Sequence, residues 1–445
     1  MEIKRVLRKK RNRFTALSIA VIILIGSLTG CTVSSGEEND GSPVRISMIW
    51  WGNDVRNSRT QRVLELYHKQ NENVIIEGKS YPSTDYWKKM EFHAAGKTMP
   101  DLVQMEYSKL NSYVEKGILL DLTPYIESGE LDVGNIPEEV LNTGKSEGGI
   151  YGIPTGLNAY CLFYNKTVTD ECGIVIRDNM TFDEFVEVAK EITEKTGYRA
   201  NLCPIDGYTF INQWSRAEGI AVTGADVPVE SAEEYIPFFQ ILEQGIKDGW
   251  HIRPDYGDMT AVETDPLVYG SIPRTMAWCT VHGGSNLLSA FQAAAPNGVE
   301  IGITTIPTDS PEKSNYVNPA MFFSVSADTE YPEEAVAVLD YLINSEEANN
   351  ILLGERGVPV STAVAERIAD KLPRAERASM DFLNQVIIPC SSPIDPPAPE
   401  GAIELASTLE EILEAVSTGD CTAEEAAEIY YQEEVRLWGK RTDER

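Results

Sequence analysis

The sequence predicts an α/β protein of two lobes, and three observations carry that reading. At 445 residues, with an ordinary globular composition of 42% hydrophobic and 24% charged side chains, the chain exceeds what a single core organises. From Val44 onward, strand-length apolar runs alternate with stretches of helical spacing, the pattern of a mostly parallel sheet covered on both faces. Of two later segments, "GGIYGIPTGLNAYCLFYNK" has the length and small residues of a connection that crosses between lobes, and "YVNPAMFFSVSA" reads as the return crossing.

Taken in order, "VRISMIWW" alternates as a strand, and "SRTQRVLELYHKQN" places Val63, Leu66 and Tyr67 on one helical face. "NVIIEG" reads as the second strand. "TDYWKKMEFHAAG" follows as a helix with Tyr86, Met90 and Ala94 at helical spacing and Gly96 where a left-handed C-cap belongs. "PDLVQM" is the third strand, opened by Pro100, and "SKLNSYVEKG" a helix with Leu110, Tyr113 and Val114 inward and Gly117 as its stop. Further on, Thr181-x-x-Glu184 and Ser231-x-x-Glu234 are capping boxes that open amphipathic helices. "TMAWCTV" and "VEIGITTIP" are strand-like. Pro332 stands at the first position of the helix "PEEAVAVLDYLIN", and Thr422 with Glu425 boxes the last helix.

The start of the chain has a different character. "MEIKRVLRKKRNR" carries seven basic residues and is followed by the apolar "FTALSIAVIILIGSLTG", the pattern of a secretion signal. "LTGC" (Leu28 to Cys31) resembles the bacterial lipoprotein lipobox, in which the cysteine is lipidated and becomes the new N-terminus; an uncleaved anchor helix is the alternative. Both readings put the body outside the cytoplasm, behind a Ser, Gly and acid-rich tether, residues 31–43. Removing residues 1–30, with seven basic side chains and one acidic, moves the formal charge from −31 to −37. Such a body repels nucleic acid, so no nucleic-acid partner is expected.

Tests for chemistry point away from the common catalytic motifs. No CxxC or clustered Cys/His spacing supports a metal, no cofactor fingerprint follows a strand, and no GxSxG or HExxH occurs. Cys161, Cys172, Cys203, Cys279, Cys390 and Cys421 allow disulfides without indicating a pairing. A glycosidase needs two carboxylates facing across a cleft, which spacing does not show. What the sequence does offer is aromatic residues at strand ends and in loops, mixed with amide, acid and arginine side chains. Sugars present apolar C–H faces ringed by hydroxyls, and such a mixture suits them. Ligands on sheets of this kind bind beyond the carboxyl ends of the strands, where "WWGND" and "MEYS" fall.

The order of "WWGNDVRNSRT", "DYWKKMEFHAAGKTMPDLVQMEYSKLNSYVEKGILLDLTPY", "GIYGIPTGLNAYCLFYNK" and "PEEAVAVLDYLINSEEANNILLGERGVPVS" behind a lipobox resembles the carbohydrate-type, family 1 extracellular solute-binding proteins of bacterial ABC importers. The resemblance implies a two-lobed periplasmic-binding-protein-like fold with interlobe hinge strands. Lobe one would take residues 44–156 and 318–368, and lobe two 157–317 and 369–445. It further implies a monomer without enzymatic activity or cofactor that holds a carbohydrate between the lobes and is read by a permease, with the lipid as its only membrane contact. Carried over position by position, the ligand-binding residues would be Trp50, Trp51, Asp54 and Arg56 at the first strand end, and Glu106 and Tyr107 at the third. Asn158 falls at the first crossing, and Asp206, Tyr208 and Trp214 in a lobe-two loop. Trp278 and His282 lie along "TMAWCTVH", followed by Ser285 and Asn286. His282 stands where maltose-type relatives place a stacking tryptophan, which weakens a maltose specificity. "WWG" followed by an arginine is also similar to binders of acidic, pectin-derived oligosaccharides; Arg56 would be their cation or, equally, part of a structural ion pair. Strand parity puts Trp50 with Ile46 and Met48, and Trp51 with Ile49 on the other face. Both faces of such a sheet are covered, so parity alone does not choose; position does, and Trp51, last before Gly52, is expected to lean into the cleft, with Trp50 as packing that borders it. A secreted glycoside hydrolase and an adhesion lipoprotein are the competing functions.

Overall fold

The computed structural model describes residues 43–203, 207–220, 227–253, 277–396 and 401–439. The expected signal segment, the expected lipidation site Cys31 and the candidate ligand residue Asp206 lie outside them.

The chain begins with β1 (Val44–Trp51), α1 (Asp54–Gln70), β2 (Val74–Tyr81), α2 (Ser83–Gly96), β3 (Leu102–Met105) and α3 (Tyr107–Glu115). It crosses through β4 (Ile153–Asn158) into β5 (Cys161–Asn165), α4 (Phe182–Thr196), β6 (Arg199–Asn201), α5 (Gly207–Glu218), α6 (Ile236–Asp248), β7 (Ala277–His282), α7 (Leu288–Ala294) and β8 (Ile301–Thr304). It returns through β9 (Asn318–Val325) to α8 (Pro332–Asn344), β10 (Val358–Pro359) and α9 (Arg374–Phe382), and closes with α10 (Ala402–Thr418) and α11 (Ala423–Trp438).

Among the described residues the larger sheet runs β10-β4-β9-β3-β1-β2 and the second β8-β5-β7-β6. β2, β1 and β3 are parallel, as the strand–helix alternation predicts. The rest departs from a mostly parallel sheet. β9 enters from the opposite lobe and is therefore antiparallel to both β3 and β4, and three of the four strands in the second sheet pair antiparallel.

Local signals behave as their chemistry requires. All three predicted capping boxes form, at Thr181, Ser231 and Thr422. Pro332 opens α8 and Gly117 takes a left-handed φ of 65° after α3. The expected C-cap at Gly96 is displaced by one residue: α2 continues through the glycine, and Lys97 adopts the left-handed turn at φ 49°. All six described cysteines are free thiols.

Strand parity sorts the two tryptophans. Trp50 joins Ile46 and Met48 in the large core under α1 and α8, while Trp51 sits with Ile49 against the aromatic residues of α2 and α3. Gly78 on the neighbouring strand makes room for the Trp50 indole, since a Cβ there would lie 2.9 Å from the ring. The same core continues past the crossing segments to Phe163, Phe291 and Ile301, so the two sheets share apolar packing behind the hinge. A second core fills the space between the smaller sheet and α4, α6, α10 and α11.

Candidate ligand-binding cleft

Three stretches pass between the sheets: Ala159–Tyr160 after β4, Asn315–Val317 before β9, and residues 391–396, which lead from the large core toward α10. Ser392 ties the third to the second by donating its N–H to the Asn315 carbonyl at 2.9 Å. In front of them opens a cleft of about 280 Å³. Glu106, Tyr107 and Ser108 line one side and Tyr208 and Asn212 the other, while Tyr160, Tyr316, Asn318 and Asp395 lie between.

The first wall follows from the ends of β1 and β3. Tyr107, at the start of α3, stacks on Phe322 with ring centroids 6.3 Å apart, and its hydroxyl donates to the Asp395 carbonyl at 3.3 Å. Glu106 precedes it; burial raises its carboxyl pKa, and hydrogen bonds with the Trp87 and Ser108 side chains oppose the shift. Trp87 packs against Trp51 at 5.8 Å, and Trp51 against Tyr86 at 5.1 Å, so aromatic surface runs from the β1 end toward Glu106. The Trp51 carbonyl accepts from Arg56 Nη1 at 3.1 Å and Gln104 Nε2 at 3.3 Å.

The second wall is a stripe of α5. Tyr208, Asn212 and Arg216 recur every four residues and so share a helix face. Asn212 Nδ2 donates to the Tyr316 hydroxyl at 3.2 Å. Arg216 lies behind, its guanidinium 4.4 Å from the Tyr316 ring centroid, ion-paired with the Asp395 carboxylate and donating to the Ser392 hydroxyl at 2.5 Å and the Pro393 carbonyl at 2.9 Å. Tyr160 and Tyr316 meet at 5.2 Å. Burial raises the Tyr316 hydroxyl pKa well above its ordinary value.

Several expected ligand residues occupy other places. Trp50 is wholly buried, its indole N–H on Asn57 Oδ1 at 3.1 Å, because parity turns it into the core. Trp278 is likewise buried, stacked on Phe185 at 5.6 Å. Trp214 points to the opposite side of α5 from the cleft stripe and packs on Phe238 at 5.6 Å. Asp54 is exposed in the first turn of α1, where a negative charge complements the helix dipole.

Arg56 takes the structural alternative: its Nε donates to both Glu355 carboxylate oxygens at 2.8 and 2.9 Å, with both side chains under 10% exposed. Arg356 extends this buried cluster, donating to Gln104 Oε1 and Thr60 Oγ1. Burial lowers its pKa to about 9.

Asn158, Ser285 and Asn286 do come together, but with one another. Asn158 Oδ1 accepts from the Ser285 hydroxyl at 2.9 Å and the Asn286 N–H at 3.1 Å, and Ser379 closes the group by donating to the Ser285 carbonyl at 2.8 Å. This network fastens the first crossing to α7. His282 belongs beside it, between the rings of Phe163 and Phe291 at 5.8 Å each, with Nδ1 accepting the Gly284 N–H at 3.1 Å. Burial lowers its pKa to about 4, so the ring is neutral at pH 7.

The residues missed from sequence are Trp87, Tyr160, Asn212, Arg216, Tyr316, Asn318 and Asp395. Two signals were present. Stepping by four from Tyr208 reaches Asn212 and Arg216, and Tyr160 and Tyr316 lie within the segments recognisable as crossings.

Comparison with known proteins agrees with this architecture. The family model described as "Bacterial extracellular solute-binding protein" matches residues 53–349, well over half the chain. An arabinooligosaccharide-binding protein of Halalkalibacterium halodurans is 32% identical over 114 residues, 26% of this chain and 25% of the relative. One from Bacillus subtilis is 22% identical over 40% of this chain and 41% of its own length. The chain thus spans less than half the length of these curated relatives. Among solved structures, a periplasmic oligogalacturonide-binding protein of Yersinia enterocolitica superposes with a TM-score of 0.74 at 21% identity, covering 89% of this chain and 100% of that one. A family 1 extracellular solute-binding protein of Alicyclobacillus acidocaldarius gives 0.71 at 23% identity, covering 90% and 99%. The chain belongs to the bacterial extracellular solute-binding protein family.

Proposed function

We propose that this protein is the lipid-anchored binding component of an ABC importer, which captures an oligosaccharide without chemical change and hands it to the membrane permease. The carrying observation is the cleft itself. Tyr107 and Tyr208 line it from the two sides and Tyr160 from the first crossing, with the buried Tyr316 behind, while Glu106, Asn212 and Asn318 supply hydrogen-bonding groups among them. We divide the body at the crossings, with residues 44–156 and 318–368 as lobe one and 157–317 and 369–445 as lobe two. A ligand touching both walls favours closure by its differential affinity for the closed state. The arabinooligosaccharide-binding relatives support a carbohydrate ligand, and the "LTGC" motif supports lipidation of Cys31 at the outer face of the cell membrane.

Binding fits better than hydrolysis. Glu106 and Asp395 are the carboxyls among the described cleft residues, and Asp395 is engaged by Arg216, whereas a glycosidase needs an acid and a second carboxylate both available to substrate. Thermal-shift screening against an oligosaccharide panel, with chromatography of the incubated sugars, tests the proposal. The expected result is a raised melting temperature with the sugar recovered intact. Shortened products would establish hydrolysis instead, and no shift across the panel would leave the adhesion reading.

A further inference from the structure

We infer that the cleft selects uncharged oligosaccharides and rejects uronates, with Glu106 as the discriminating side chain. This deepens the carbohydrate reading above and rests on it. The observation is where charge lies. Among the described residues lining the cleft, Glu106 and Asp395 carry carboxyls, and none is a lysine or arginine.

The guanidinium groups of Arg56 and Arg216, the ones described near the cleft, are already engaged. Arg56 is closed in an ion pair with Glu355, away from solvent. Arg216 holds the Asp395 carboxylate, the Ser392 hydroxyl and the Pro393 carbonyl while its plane covers the Tyr316 ring. Lys109, in the first turn of α3, lies 5.9 Å from the Trp87 ring centroid, and its charge already acts on Glu106.

A sugar carboxylate entering here would give up its water, approach Glu106 and meet no cation among the described lining residues to replace that hydration. Like charges brought together in a desolvated site oppose binding strongly. A sugar hydroxyl meets the opposite situation, since it donates to the same Glu106 oxygen atoms and lays its ring against the tyrosines. Asp395 contributes less to this selection because Arg216 offsets its charge. Among the described residues Glu106 is held in no ion pair; Lys109 acts on it through charge alone, without the direct contact that Arg216 makes with Asp395.

The test is calorimetric titration of the full-length mature protein with arabinotriose, xylotriose, maltotriose and galactotriose, and with trigalacturonate. A neutral trimer is expected to bind at least about tenfold more tightly than trigalacturonate, the ratio narrowing as ionic strength rises. Glu106→Gln should narrow it too, by improving uronate binding relative to neutral sugar. Trigalacturonate binding as tightly as every neutral trimer would overturn the inference while leaving the carbohydrate reading intact. Absence of binding by all five sugars would overturn both. Should the variant unfold, the wild-type ratio and its salt dependence decide alone.

Discussion

Adjacent residues in a strand lead separate lives, and Trp50 and Trp51 show how far. Trp50 fills a fully enclosed slot beside Gly78, so Trp50→Ala is expected to cost about 3–5 kcal/mol of unfolding free energy in a urea titration. Trp51 is partly exposed and packs on Trp87, whose side chain hydrogen-bonds Glu106. Trp51→Ala should therefore cost less stability but weaken sugar affinity, read by calorimetry. The opposite assignment would appear as the reverse pattern. Arg56→Ala belongs with Trp50: it leaves Glu355 buried without its closest partner, and a loss of about 3 kcal/mol is expected. Parity separated the two tryptophans in the sequence and position favoured Trp51 for the cleft, whereas Trp51 packs on Trp87 and is not among the described residues that line it. The fate of Arg56 was not legible, because its partner lies 299 positions away and no local pattern announces it.

At the scale of elements, capping boxes and proline starts were legible because their chemistry is local, spanning three or four residues. The direction of β9 was not, since it depends on the chain returning from the other lobe. The cleft stripe of α5 was half legible. Its period was in the sequence, but which face meets the cleft is decided by Phe210 and Ile211 packing into the second core. Thr181→Ala should cost about 1 kcal/mol through loss of the box that opens α4. Two buried groups, His251 and Glu434, give the protein opposing pH responses. His251 accepts the Leu202 N–H on Nε2 while its Nδ1 meets the Ile252 carbonyl, and burial lowers its pKa from 6.5 to about 4. Its contribution is complete above pH 6.5 and is lost as the pH falls toward 4, because only the unfolded chain then binds the proton. Glu434, buried beneath the Tyr235 hydroxyl, is raised from 4.5 to about 8. Its contribution is complete below pH 4.5 and is lost as the pH rises through 8. Glu434→Gln should flatten the decline in urea midpoint between pH 6 and pH 8, and an unchanged slope would contradict the assignment.

At the scale of the molecule, the shared apolar core behind the crossings restricts how the lobes can move. Phe163, Phe291 and Ile301 belong to the same packed cluster as β1, so the proposed closure would take place in front of it, around Tyr160, Tyr316 and residues 391–396. That the chain has two lobes was readable from length and alternation; that their packing is continuous at the back depends on contacts between distant segments. The proposed anchoring is tested separately. Cys31→Ser should abolish incorporation of labelled palmitate and release the protein into the medium, whereas continued labelling would place the lipid elsewhere. The central claim, a carbohydrate held between two closing lobes, is tested most directly by small-angle X-ray scattering of the mature protein with and without a saturating oligosaccharide already found to bind. A smaller radius of gyration in the bound state is the result expected; a bound sugar that leaves the scattering curve unchanged would contradict it.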